Sequence, residues 1–339
     1  MRVSEFGGEQ ALIRLIAEKY GAHPDSSLVK PIGDDAAVIL VGGDAIIVTC
    51  DMLIENTHFR RDIIEAYEIG WKSVAVNISD IAAMGGTPTY TLISIGIDDQ
   101  EVALIDESYR GIRDAASQFG SKLIGGDTCF SDSRLIFSVF QLGTAEPERV
   151  LYRSGARSGD VVMVTGTLGD SRVGLELLLK HGLTEARMRN EEAVKAHLRP
   201  VPRVNEGRLL AKLGIHAAMD LSDGLASDLP KLCEAGGVGA VVYLDSIPVG
   251  DSTRKLASEF GHDPARFAVE GGEDYELLFT VAPDGVEPVK SALMDNGLTP
   301  ATEIGVITDD GKTLLVSSDG STEPLFGGWR HFPGDLMDA

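Results

Sequence analysis

Between Trp71 and Pro88 the chain reads WKSVAVNISDIAAMGGTP, and this stretch limits the fold more than any other. Val74, Ala75, Ile78 and Ala82 recur at helical spacing, Gly85-Gly86 supplies a C-terminal cap, and Pro88 prevents continuation. The spacing therefore predicts a helix over 65–84 that is poor in charge. Asp80 stands out within it, about a turn and a half before the glycine stop. A carboxylate there faces the negative end of the helix dipole, and it costs more still if buried. A bound cation resolves the conflict; so does a partly exposed Asp bonded to Asn77 or to water. The helix alone does not decide between them.

The rest of the chain narrows the class. At 339 residues and 43% hydrophobic content, with mean hydropathy near zero, two globular domains with real cores are expected. No apolar run reaches the roughly 18 residues of a membrane span, and the N-terminal segment reads as an amphipathic helix, not a signal peptide. Cys50, Cys129 and Cys233 are scattered and lack CxxC spacing, which fits a reducing cytoplasm without a zinc site. The formal net charge of −22 repels nucleic acid and anionic membranes.

Taken in order, the first half predicts a helix at 7–20, a strand at 36–40, and a hairpin through Gly42-Gly43 into a strand at 46–50. The 65–84 helix follows, then a strand at 90–97, a helix at 101–119, and strands at 122–128 and 135–143. This is an α+β domain with a mixed or antiparallel sheet. The polar connector EPERVLYRSGARSGD marks a boundary, dividing 1–148 from an α/β domain at 149–339. In the second half, helices are expected at 172–181, 204–213, 224–235, 252–260 and 286–296, with a charged helical segment at 184–198. Strands are expected from VVMVTG, at 217–220, at 239–244 and near 303–316, and EGGEDYELLFTV reads as a loop.

The usual nucleotide and hydrolase motifs are missing: no GxxxxGK[ST], no GxGxxG opening a helix, no HRD/DFG pair, no GxSxG and no HExxH. In their place stand carboxylates at element ends: Asp34 and Asp35, Asp51, Asp80, Asp127, Asp220 and Asp223, Glu273 and Asp274. Any one could be a turn or cap residue. The same grammar at six places, in a chain with no rival chemistry, points instead to hard cations, Mg²⁺ above all, and through several Mg²⁺ to a polyphosphate. His58, Arg153 and Trp329 are weaker candidates for anion contact, phosphate contact and stacking; each is equally explained as surface or core. Cys50 either lends a backbone carbonyl or simply packs.

In this order the motifs GE-x-x-LI, IGDDAA, D-x-L-x-E-x-x-HF, K-x-x-AVNISDIAAMGG-x-P, LIGGDT, RSGA-x-x-GD, VTGTLGDS, HLRP-x-PR, MDLSDGL, GGEDYEL and the terminal GWRHF resemble the thiamine-monophosphate kinases, within the aminoimidazole-ribonucleotide synthetase-like superfamily. The resemblance covers nearly the whole chain. It implies phosphoryl transfer from ATP to thiamine monophosphate, giving thiamine diphosphate, in a homodimer whose N-terminal sheets pair and whose active site lies between the two domains. It further implies Mg²⁺ ligands at Asp35, Thr49, Cys50 (backbone oxygen only), Asp51, Asp80, Asp127, Asp220 and Asp223, with Asp80 bridging. Implied ATP contacts are Gly126, Asp127, Arg153 and Ser222, with Tyr109–Gly111 near the base. Implied substrate contacts are His58, Glu273 and Trp329. Cys50 departs from relatives with Ser or Thr there, so no side-chain hydroxyl is offered. The alternatives are another ATP-dependent enzyme of the superfamily, such as an aminoimidazole-ribonucleotide or selenophosphate synthetase, and a non-catalytic Mg²⁺/nucleotide-binding module. The acceptor oxygen of a phosphate monoester is largely ionised near neutrality, so no dedicated catalytic base is expected.

Overall fold

A two-residue hairpin begins the first sheet. In this computed structural model, which describes residues 1–132, 134–329 and 331, Gly42 and Gly43 both take positive φ (64° and 99°), as the tight turn requires. After short helices α1 (Val3–Phe6) and α2 (Gly8–Tyr20) and a short strand β1 (Leu28–Lys30), the turn joins β2 (Ala37–Val41) to β3 (Asp44–Ile54). Then come α3 (Ala66–Ala83), β4 (Thr87–Ile97), α4 (Val102–Gln118), β5 (Lys122–Phe130) and β6 (Ile136–Ala145). The six strands lie in the order β1-β2-β3-β6-β4-β5, antiparallel except for β4 with β5.

The second sheet has seven strands in the order β13-β12-β9-β11-β7-β10-β8. Its elements are β7 (Val161–Thr165), α5 (Asp170–Arg189), α6 (Glu191–Leu198), α7 (Val204–Leu213), β8 (Ala217–Asp220), α8 (Leu225–Gly236) and β9 (Gly239–Tyr243). They continue with α9 (Asp251–Glu259), α10 (Pro264–Val269), β10 (Leu277–Val281), α11 (Val286–Asp295), β11 (Ala301–Thr308), β12 (Thr313–Val316) and β13 (Thr322–Pro324). Both sheets are mixed, since β12 runs parallel to β9.

Two readings of the sequence need correction. LLFTV is strand β10, not loop, and it lies one strand in from the edge of the sheet, between β7 and β8. All five residues are buried, so the strand shows no alternation, only a continuous apolar run. The helix expected at 172–181 continues to Arg189, bent at Gly182, whose φ of 72° lets the chain turn and resume. Of the terminal GWRHF motif, Arg330 and Phe332 lie outside the described residues.

Helix α3 is the axle of the molecule. Nearly all of it is buried, including Glu68, Lys72, Ser73, Asn77 and Ser79. It packs on β3 and β6 of the first sheet, on α4, and on α7 and β8 of the second half. Each fully buried branched side chain, such as Val74, Ile78 or Ile81, contributes roughly 1.5–3 kcal/mol. The Trp71 indole N–H donates to Pro200 O at 3.0 Å, and Glu68 accepts from Arg187 and Arg199, so the helix is tied to the second half along its length.

Close approach demands glycine where α3 meets its neighbours. A Cβ on Gly70 would sit 1.8 Å from the Ser108 carbonyl oxygen of α4, and one on Gly111 would sit 1.9 Å from that of Tyr67. The two glycines thus let α3 and α4 cross in reciprocal contact. Gly70→Ala is expected to lower the unfolding free energy by about 1–3 kcal/mol, despite the gain of up to about 1 kcal/mol that alanine brings to an ordinary helix position. Chemical denaturation checks this, and a neutral or stabilising result would contradict the packing argument.

Candidate active site

The site follows from where α3 ends. Asn77, Ser79 and Asp80 are the polar residues of its last turns, and each reaches a different partner. Asn77 Oδ1 accepts from the Asp51 backbone N–H at 2.8 Å, holding β3 in register with the helix. Ser79 Oγ donates to Asp220 Oδ2 at 2.6 Å, across to the end of β8. Asp80 Oδ2 accepts from Thr49 Oγ1 at 2.6 Å. One oxygen from each of Asp35, Asp80 and Asp220 lies within 4.8 Å of the other two.

A cavity of about 1470 Å³ opens over this cluster, between the first sheet and the second half. Asp35, Thr49, Cys50, Asp51, Asp80, Arg153, Asp220, Ser222, Asp223, His58, Glu273 and Trp329 all line it. Four sequence-predicted residues do not: Tyr109, Gly111, Gly126 and Asp127. Gly111 is spent on the α3–α4 crossing. Gly126 lies hard against Ile93 of β4, and Asp127 pairs with Ser94 on the exposed edge strand β5. Through Ser94 and Ser138, Asp127 shares the open face of the sheet with Met52, opposite α3. The Cys50 thiol also turns to that face, 3.7 Å from Ser138 Oγ, leaving its backbone to the cavity.

Crowding carboxylates in a buried place has an electrostatic cost. Burial first, and then Asp51, Asp220 and Asp35, push the Asp80 carboxyl well above the usual range. Asp220 is raised well above that range too, by burial and by Asp35. Burial, Asp223 and Asp35 push Asp51 up to about 6. Asp35 is also raised by burial, against the pull of Arg153, whose Nε donates to its Oδ1 at 3.0 Å. The other oxygen of Asp35, buried, has no partner among the described residues. Asp34 is turned away from the cluster, to Lys30 and the Arg153 backbone N–H.

The loops of the second half are fixed just as closely. Asp228 Oδ2 accepts from the N–H groups of Asp223 and Gly224 and so shapes the SDG turn, while Lys231 bridges Asp223 and Asp228 at 2.6 and 2.7 Å. In GGEDYEL, Glu273 and Tyr275 take left-handed φ of 65° and 52°, and their N–H groups donate to Ser222 and Leu221. Such strain in non-glycine residues aims side chains that an ordinary strand would point elsewhere. Glu273 faces the cavity. Asp274 instead accepts from Gly169 and Ser171 at the start of α5, a helix-capping role. His58 accepts at Nδ1 from the Ile54 N–H, and its ring lies 5.4 Å from that of His331. Burial and His331 keep it below the usual histidine range. The Trp329 backbone N–H donates to Asp223 O.

Sequence reasoning gave no role to Ser79, Lys72 or His197, which stand inside the quoted motifs, and did not single out Asp228 or Lys231. Lys72 and Ser79 carry a visible signal, as lone polar residues inside an apolar helix. Asp228 and Lys231 show only as charges just past the SDG motif, ordinary for the first turns of a helix.

The chain is similar to known proteins along most of its length. Residues 33–145 match the AIR synthase related protein N-terminal domain, and residues 157–317 its C-terminal domain. The chain is 36% identical to the thiamine-monophosphate kinase of Aquifex aeolicus (strain VF5), over 98% of this chain and all of that one. It is 34% identical to that of Bacillus subtilis (strain 168), over 91% and 94%. The solved structure of AaThiL complexed with AMPPCP and TMP matches with a TM-score of 0.86 at 34% identity, over 98% of this chain and 99% of that one.

The raised carboxyl pKa values set a sign for stability. The folded cluster holds protons more tightly than unfolded aspartates, which titrate near about 4. Its contribution to stability is therefore present at low pH and is lost as pH rises through the folded values, about 6 for Asp51. In chelator, Asp80→Asn is expected to melt above the wild type by about 3–6 °C at pH 7.5, with a smaller gap at pH 5. A melting series that shows no gap, or one that narrows toward pH 7.5, would contradict the repulsion.

Proposed function

The chain belongs to the thiamine-monophosphate kinase family, and from that premise we propose that it transfers the γ-phosphoryl group of ATP to the phosphate of thiamine monophosphate. The carrying observation is the cavity itself, lined by a carboxylate cluster together with His58, Glu273 and Trp329. Two anions must meet for this reaction, in a place where the protein supplies negative charge. A cation is required to reconcile them.

The residues fit Mg²⁺. The donor set is all oxygen, and Asp35 keeps a buried carboxylate oxygen unpartnered among the described residues. Asp35, Asp80 and Asp220 would hold it, with Asp51, Asp223, the Thr49 hydroxyl and the Cys50 carbonyl around them. When bound, Mg²⁺ supplies charge neutralisation between the phosphates. The chain's own part is positional. Asn77 and Ser79 fix Asp51 and Asp220, Arg153 and Ser222 face the nucleotide phosphates, and Trp329 and His58 flank the organic part of the acceptor. No side chain is needed as base, because the attacking oxygen belongs to an ionised phosphate.

We assign Asp127 and Gly126, on the edge strand β5, to the cavity of a second copy; Gly111 is buried against Tyr67 of α3, so the assignment does not extend to the Tyr109–Gly111 segment. The open face of the first sheet shows Met52, Tyr90 and Phe140, each close to half exposed, which is unusual for a lone sheet face and suits pairing with the same face of a partner. The two sheets are read as two domains divided at 148/149. No helix among the described residues is long and apolar enough to cross a membrane, and the three free cysteines suit a cytoplasmic setting.

The chain is expected to release ADP from Mg²⁺-ATP only when thiamine monophosphate is added, in a coupled assay over a small acceptor panel. Turnover without an acceptor, or none with this one, would sink the kinase reading. Phe140→Glu places a charge on the pairing face. It should convert a dimer to a monomer in size-exclusion chromatography with light scattering, and lower activity at least about tenfold. A fully active monomer would overturn the assignment of Asp127.

A further inference from the structure

One charged group in the cavity wall is left unused by the phosphoryl-transfer reading. Lys72 lies on α3 and is 1% exposed, among the most deeply buried large side chains of the chain. Its Nζ sits 2.6 Å from Glu273 Oε1 and has no other partner among the described residues. The second oxygen of Glu273 lies 3.3 Å from His197 Nδ1 on α6, and that nitrogen is 3.1 Å from Ser171 Oγ on α5. Glu273 is thus gripped from the first half by Lys72 and from the second by His197, while its side chain stays 30% exposed to the cavity.

Stability does not account for this arrangement. A buried ion pair repays its desolvation poorly, and an apolar residue of similar volume at 72 would serve the core as well or better. Glu273 also carries a left-handed φ of 65°, a second local cost. Burial opposes its ionisation, yet the Lys72 charge, the largest opposing cause, holds its carboxyl below the usual range. Burial and Lys72 lower His197 to about 3, so its ring is neutral and the cation in the group is Lys72. What these costs secure is a charged carboxylate in one fixed orientation, with free lone pairs toward the cavity.

We propose that Lys72 is a positioning residue for the phosphoryl acceptor, holding Glu273 as a fixed acceptor of hydrogen bonds or cationic charge from the acceptor's organic part. The proposal rests on the kinase reading. Thiamine monophosphate offers both features, an exocyclic amine on its pyrimidine and a cationic thiazolium ring. The proposed function gives the nucleotide phosphates to Arg153 and Ser222 and the acceptor to Glu273, so the effect of Lys72 belongs in the KM for the acceptor and not in nucleotide affinity.

The test is a double-mutant cycle read by steady-state kinetics, with calorimetric Mg²⁺-ATP affinity and a melting curve as controls on folding. Lys72→Met should raise the KM for thiamine monophosphate at least about tenfold and leave Mg²⁺-ATP affinity within twofold. Glu273→Gln should do the same, and the double variant should be no worse than the poorer single, because both act through one group. Lys72→Gln keeps a donor near Glu273 and should fall between; it stands in where the methionine variant does not fold. An acceptor KM within twofold of wild type in Lys72→Met, or effects that multiply in the double variant, would overturn the role. A wild-type chain that releases no ADP with thiamine monophosphate would overturn the kinase reading, and this role with it.

Discussion

The structure depends on one electrostatic compromise, a cluster of aspartates held close together out of water. Asp35, Asp80 and Asp220 approach within 4.8 Å, with Asp51 and Asp223 beside them. In a folded chain alone this is unfavourable twice over, through desolvation and through like charge. It persists because the elements carrying these residues are over-determined elsewhere. Helix α3 is buried along almost its whole length, β3 is paired on both edges, and β8 is locked to β10. The packing energy of two cores sets a geometry that the carboxylates alone would not choose.

That compromise explains why the ends of the elements are so heavily tied. Asp51 is held through its backbone by Asn77, Asp220 through its side chain by Ser79, and the SDG turn through Asp228. None of these ties comes from a flexible surface group. Arg153 and Lys231 add positive charge beside the cluster, on Asp35 and Asp223. The site is therefore preformed in shape and incomplete in charge, which suits a cation brought in with a polyphosphate.

Much of this was legible in the sequence, for physical reasons that differ by residue. The α3 helix, the Gly42-Gly43 hairpin and the aspartates at element ends announce themselves through periodicity and turn chemistry. Strand β10 did not, because a strand buried on both faces has no alternation to read. Glu273 and Asp274 are adjacent and look equivalent, yet the left-handed backbone at Glu273 sends one to the cavity and the other to the start of α5. Backbone strain of that kind leaves no trace in residue type when the residue is not glycine. Asp127 looks the equal of Asp80 as a motif. Only the register of β5 on β4 shows that it faces the other side of the sheet.

Helix α3 also sets how the two halves meet. Successive residues of an α-helix are about 100° apart, so Asn77 and Asp80 are separated by about 60° and face one side, while Ser79 lies about 100° beyond Asp80. The first pair meets Asp51 and Thr49 of β3, and Ser79 meets Asp220 of β8. Lys72, seven residues before Ser79, returns to nearly the same face about 10 Å along the axis, and it too meets the second half, at Glu273. One side of α3 is therefore matched to the first sheet and the other to the second half. The spacing between Ser79 and Lys72 fixes how far the charged cluster stands from Glu273. A single rigid helix thus measures out the site, so any slip of the second half along it would break Ser79–Asp220 and Lys72–Glu273 together.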